Sequence, residues 1–191
     1  MRRALALAVF AFALPSVAAA RPFTAGVDLG LSHSEANDTA GTEPSTTLGV
    51  FARLGLTSRL AGQIELQRIR TDDTYGTGGD IKTATALLVV ELGRSGRLVP
   101  TLMAGIGLDR ATGYYMEKAH HLEGGFGLEY RADGGFTLGA DVRMGGRTLD
   151  EETFYAYPED ARTDGYATLY APSPLQAGEY RSARITLGVR F

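Results

Sequence analysis

The chain has 191 residues, with 19 basic and 22 acidic side chains, no cysteine and no tryptophan. This slightly acidic balance excludes the broad basic surface that nucleic-acid binding requires. The lack of cysteine excludes disulfides, thiol catalysis and a lipoprotein-type export signal.

The amino terminus reads as a signal peptide spanning residues 1–20. Arg2 and Arg3 form a positive n-region, Ala4 to Leu14 an apolar h-region, and Ala18-Ala19-Ala20 a small-residue cleavage site. The apolar run is too short for a membrane-spanning helix, which takes about 20 residues. The arginine pair fits an ordinary n-region better than twin-arginine export. Residues 21–191 then carry 17 basic against 22 acidic side chains, a net of −5, and their length suits one domain.

Eight segments of period-two alternation follow, each with an apolar and a polar face. The first, Phe23 to Ser32, sets Val27, Leu29 and Leu31 against Asp28, Gly30 and Ser32; a polar stretch, His33 to Ser45, comes next. The second, Thr46 to Leu56, opposes Leu48, Val50 and Leu54 to Gly49, Phe51 and Arg53. A tight turn, Thr57-Ser58-Arg59, leads to the third, Leu60 to Ile69, where Ile64 and Leu66 oppose Gln63, Glu65 and Gln67 before the pattern decays at Arg68. After the polar loop Arg70 to Ile81, the fourth segment, Lys82 to Leu92, is apolar on both sides in its middle, so alternation leaves its outer face open. Gly93 to Arg97 turns into the fifth, Leu98 to Leu108, with Pro100 near its start, where a missing ladder N–H is tolerated.

Asp109 to Lys118 reads as a loop before the sixth segment, where Leu122, Phe126, Leu128 and Tyr130 oppose His121, Glu123 and Glu129. Arg131-Ala132-Asp133-Gly134-Gly135 has hairpin-turn chemistry. The seventh segment, Phe136 to Gly145, opposes Leu138, Val142 and Met144 to Thr137, Asp141 and Arg143. The longest connection, Gly146 to Glu179, precedes the closing segment, where Ala183, Ile185, Leu187, Val189 and Phe191 alternate with Ser182, Arg184, Thr186, Gly188 and Arg190. Each strand is about ten residues long, the transmembrane β-strand length. Long and short connections alternate, which places both chain ends and the short turns on one side of a membrane. No segment follows the closing strand, so no peptidoglycan-binding module is expected.

The composition of the polar face indicates which face looks inward. A soluble barrel with an apolar ligand cavity would carry an exterior rich in Lys and Glu. Here that face is Thr, Gly, Ser and Gln, with ten charges: Asp28, Arg53, Glu65, Glu91, Glu123, Glu129, Asp141, Arg143, Arg184 and Arg190. Near-balanced carboxylates and guanidiniums among glycines suit a narrow lumen closed by ion pairs. The order along the strands predicts one layer of Arg53, Glu91, Glu129 and Arg190 near the turns. Glu65 and Asp141 should lie midway, with Glu123, Arg143 and Arg184 above. The opposite face is almost uncharged, as lipid contact demands, and Phe23, Tyr130, Phe136 and Phe191 fall at the turn ends as an aromatic girdle. The expected fold is an all-β, closed antiparallel eight-stranded transmembrane barrel with an up-and-down meander.

With these features residues 22–191 resemble the small OmpA/OmpX-type outer-membrane barrels. The resemblance implies an outer-membrane location, with lipids and lipopolysaccharide as surroundings, and handling by the assembly machinery through Phe191, Val189 and Leu187. It implies no cofactor, metal or nucleic-acid partner and a structural or surface-interaction role. Three other groups carry sharper alternatives to this reading. His33, Ser34 and Glu35 are similar in type to the triad of lipid A deacylase barrels, although neighbouring strand positions face opposite ways. For the same reason His120 and His121 suit a rim pair better than a metal site. The acidic run Asp150, Glu151, Glu152, Glu159 and Asp160 reads as a solvated loop, with a divalent cation as the sharper alternative.

Overall fold

A computed structural model describes residues 22–34, 44–70, 80–93, 96–112, 115–150, 154–155, 175 and 177–191. The signal-peptide reading, Glu35 and the acidic run after Asp150 lie outside them. The strands are β1 (Phe23–Ser34), β2 (Ser45–Gly55), β3 (Leu60–Arg70), β4 (Asp80–Glu91), β5 (Leu98–Thr112), β6 (Tyr115–Arg131), β7 (Phe136–Leu149), β8 (Phe154–Tyr155) and β9 (Gly178–Arg190). Each long strand pairs antiparallel with its neighbour in sequence, and β9 pairs with both β7 and β1. The eight long strands thus close into a meander barrel, and β8 adds a two-residue pairing to Tyr115 and Met116. Closure leaves no long unpaired edge, the condition for a sheet to cross hydrocarbon.

The rows of paired residues are staggered. A row beginning at Asp28, in the middle of β1, passes Gly49, Gln67, Thr83, Asp109 and Ala119 and reaches Leu149, the last residue of β7. Rows therefore climb toward the loop end as they run from β1 to β7, because barrel strands must tilt to close.

Orientation follows the alternation. Val50, Val142 and Leu187 are 51%, 58% and 54% exposed, whereas Glu65 and Arg184 are 2% and 5% exposed. The wall of outward Leu, Ile, Val, Phe and Met is far larger than a water-facing monomer tolerates. On β4, which alternation left undecided, Thr83, Thr85, Leu87 and Val89 point inward and Ala84, Ala86 and Leu88 outward. Leu87 and Val89 join Ala61 and Met103 in an apolar cluster on the lumen side.

Two expectations are corrected. Asp109 to Lys118 is not a loop: β5 runs to Thr112 and β6 starts at Tyr115, with Arg110 opposite Lys118 in the ladder. Charges that signal a loop in an aqueous protein are compatible with a barrel strand once it emerges from lipid, where its outer face is solvated. The regular long–short alternation of connections therefore fails at the fifth connection, between β5 and β6. Arg131 is likewise the last residue of β6, its side chain turned to Glu129 and Glu91, and not part of the turn. The turn itself keeps Gly134 and Gly135 at φ 90° and 87°, values that β-carbon-bearing residues rarely adopt.

Candidate functional site

The inward side chains form three connected polar layers. Nearest the turns, Arg53 donates to Glu129 at 2.5 Å and to Gln63 at 2.5 Å, and Arg131 donates to Glu129 at 2.7 Å and Glu91 at 2.5 Å. Arg190, placed in this layer by the sequence pattern, is half-buried and joins no ion pair among the described residues. Gln63 continues upward, donating to Glu65 at 2.5 Å.

The central layer is built on Glu65. Arg143 donates to its two oxygens at 2.8 and 2.9 Å, and Arg184 reaches it at 2.8 Å. Arg143 also donates to Glu123 at 2.6 Å and Asp141 at 2.9 Å, and Arg184 donates to Asp141 at 3.0 Å. Asp28 accepts from Gln67 at 2.9 Å and lies 4.0 Å from Arg184, while its second oxygen has no hydrogen-bond partner among the described residues. Glu65, Asp28, Arg143 and Arg184 are all 5% exposed or less. At such burial removing one partner strands a charge, so the layer holds together as a unit.

The upper layer was not anticipated. Tyr180 donates its hydroxyl to Glu123 at 2.7 Å, and Arg147 lies over the Tyr180 ring at 5.2 Å while donating to Asp109 at 2.6 Å. Asp109 also accepts from Thr83 at 2.8 Å and approaches His121 Nδ1 at 3.1 Å. His121 is therefore a buried lumen residue rather than half of a rim pair. His120 points outward to Asp150 at 2.6 Å, so the two imidazoles share no site. Asp109 and Arg147 escaped the sequence reading because both fall where loop residues were expected. The signal that would have found them is their odd-numbered phase, continuous with Met103 and Gly105 and with Asp141 and Arg143.

Glycine makes room for these side chains. Gly49, Gly30, Gly125 and Gly107 stand directly across the ladder from Asp28, Arg184, Arg143 and His121. A β-carbon there would lie 2.6 Å from Asp28 Oδ2, 2.5 Å from Arg184 Cγ, 2.7 Å from Arg143 Cγ and 2.3 Å from the His121 ring. Above the polar layers, Leu175 is 1% exposed and packs with Ile69, Ile81, Ala111 and Ala119. A lumen cavity beside His121, Arg147 and Tyr180 measures about 20 Å³, the scale of one water molecule. Among the described residues no three His, Asp or Glu side chains are grouped to hold a metal. His33 and Ser34 occupy successive positions of β1 and so face opposite sides of the sheet.

At the turn end, the Phe23 and Phe191 rings stack at 6.2 Å, and Tyr130 and Phe136 are exposed on the outer wall. A lipid-facing, closed, eight-stranded antiparallel barrel with an ionic interior is an outer-membrane β-barrel. Residues 4–190 match the family model described as "Outer membrane protein beta-barrel domain", and the chain belongs to that family. It is a protein of the bacterial outer membrane.

No curated protein matches the sequence. Among solved structures the fold is similar to Neisserial surface protein A (NspA), at 14% identity and TM-score 0.59, over 89% of this chain and 95% of that one. It is similar to Ail, the attachment invasion locus protein of Yersinia pestis, in complex with the heparin analogue sucrose octasulfate. That match has 14% identity and TM-score 0.52, over 90% of this chain and 99% of Ail. A major outer membrane protein of Thermus thermophilus matches at 14% identity and TM-score 0.52, over 90% of this chain and all of that one. At these identities the likeness is one of fold.

Proposed function

We propose that the protein is a non-enzymatic, non-conducting barrel that serves the envelope structurally and presents its loop end for surface interaction. The observation that carries this reading is the continuous chain of contacts from Glu91 through Arg131, Glu129, Arg53, Gln63, Glu65, Arg143 and Glu123 to Tyr180. It crosses a barrel whose eight strands leave an interior only wide enough for side chains. Every charged group in this chain of contacts is held by another described residue. In this reading residues 1–20 are removed on export, the short turns face the periplasm and the loop end faces outward.

The test combines cell fractionation with planar-bilayer recording. The protein should require detergent for extraction, run with heat-modifiable mobility on gels and show no stepwise conductance. Extraction without detergent would contradict the reading, and regular conductance steps would contradict a plugged lumen. A changed lipid A mass in expressing cells, lost on His33→Ala, would instead favour a lipid-modifying enzyme.

A further inference from the structure

The central lumen layer is short of positive charge. Asp28, Glu65, Glu123 and Asp141 are between 2% and 8% exposed, and the guanidiniums among them are Arg143 and Arg184. Among the described residues four buried carboxylates thus face two cations. The neighbouring layers do not make up the difference. Toward the turns, Arg53 and Arg131 are paired with Glu129 and Glu91. Toward the loop end, Arg147 is paired with Asp109, and His121 stands between Asp109 and Thr85.

The deficit falls on Asp28. Arg143 donates to Glu65, Glu123 and Asp141, and Arg184 donates to Glu65 and Asp141. Arg184 stays 4.0 Å from Asp28 Oδ1, which accepts instead from the neutral Gln67 amide at 2.9 Å. The same amide reaches Glu65 at 3.5 Å, so a second carboxylate is close by. Glu65, Asp141, Arg143 and Arg184 are the charged groups that face Asp28. Its other oxygen, Oδ2, is buried and has no hydrogen-bond partner among the described residues, and the same holds for Thr47 Oγ1. The two residues stand one inward row apart on the β1–β2 pair, Asp28 opposite Gly49 and Thr47 opposite Gly30. Each leans over the glycine across from it: a β-carbon on Gly49 would lie 2.6 Å from Asp28 Oδ2, and one on Gly30 2.9 Å from Thr47 Oγ1.

A buried, half-satisfied carboxylate beside another carboxylate is strongly disfavoured unless a positive partner reaches it. A divalent ion would ask for about six oxygens, and Glu65, Glu123 and Asp141 are already held by guanidiniums. One carboxylate oxygen with a hydroxyl in the next row suits a single small positive charge. We infer that Asp28 is the site of one small monovalent cation, an alkali ion or a proton, held on Oδ2 beside Thr47 and taken up as the barrel folds. The inference goes beyond the role proposed above, since it assigns a ligand to the lumen and is independent of what the loop end does.

The experiment is equilibrium urea titration of the barrel in phosphatidylcholine vesicles. It needs no entry path to the lumen, because the unfolded chain is open to solvent. At fixed pH and ionic strength, sodium chloride is exchanged for choline chloride. If the cation is an alkali ion, the wild-type folding constant should rise by up to about tenfold for each tenfold rise in sodium. If it is a proton, sodium has no effect. In choline chloride the folding constant should then fall as pH rises above the ordinary aspartate range of about 4, because the folded state binds the extra proton. That fall should be steeper in wild type than in Asp28→Asn by about tenfold per pH unit. The variant keeps an oxygen for Gln67 and takes no cation, while the other lumen acids titrate alike in both chains. It should show no sodium dependence. Identical sodium and pH dependences in wild type and Asp28→Asn overturn the proposal. A wild-type folding constant indifferent to both sodium and pH overturns it without any variant. If Asp28→Asn lacks heat-modifiable mobility, the smaller Asp28→Ser is read by the same criteria.

Discussion

Glu65 accepts from both central guanidiniums and from Gln63, and no other lumen acid among the described residues has that reach. Replacing it with Gln keeps the volume and removes the charge that Arg143 and Arg184 share. Breaking such a buried pair costs about 3–5 kcal/mol. The exposed Arg97–Asp133 pair, with side chains 62% and 84% accessible, is a built-in comparison. Asp133→Asn should cost less than about 1 kcal/mol. Urea titration of the refolded barrel in lipid vesicles should rank Glu65→Gln far below Asp133→Asn, and similar midpoints for the two would show that the network contributes little. At this scale the sequence was half legible. Alternation identifies Asp28, Glu65, Arg143 and Arg184 as sharing a face with many glycines. Only the register reveals that Gly49, Gly30 and Gly125 are the cross-strand partners of Asp28, Arg184 and Arg143.

Strands record the boundary between lipid and water along their outer faces. On β7 the outward positions run Phe136, Leu138, Ala140, Val142 and Met144, then Gly146 and Thr148. An arginine at mid-bilayer depth costs about 2–4 kcal/mol and near the interface about 0–1. Val142→Arg should therefore destabilise the folded barrel by the larger amount and Thr148→Arg by the smaller, read from folding equilibria in vesicles. Equal costs would place the two positions in the same medium. Strand existence and facing were legible because a one-residue slip would put an entire apolar set in the lumen. The upper ends of β5 and β6 were not. Asp109, Arg110, Glu117 and Lys118 lie above the apolar band, where strand and loop share the same composition.

For the whole molecule, the β1–β9 seam closes the sheet, and closure encloses the face that carries Glu65, Arg143 and Arg184. The meander and its inward–outward sense could be read from the chain, since both follow from period two and from a polar face with few lysines. The three-layered lumen could not, since it depends on the stagger that brings Asp109 on β5 to Arg147 on β7 and Tyr180 on β9 to Glu123 on β6. The native chain has no cysteine, so single spin labels can be placed without background. Labels at Val50→Cys, Val142→Cys and Leu187→Cys in reconstituted vesicles should collide readily with dissolved oxygen and rarely with a water-soluble nickel complex. Labels there that are shielded from oxygen, or open to the nickel complex, would show that these side chains do not face lipid.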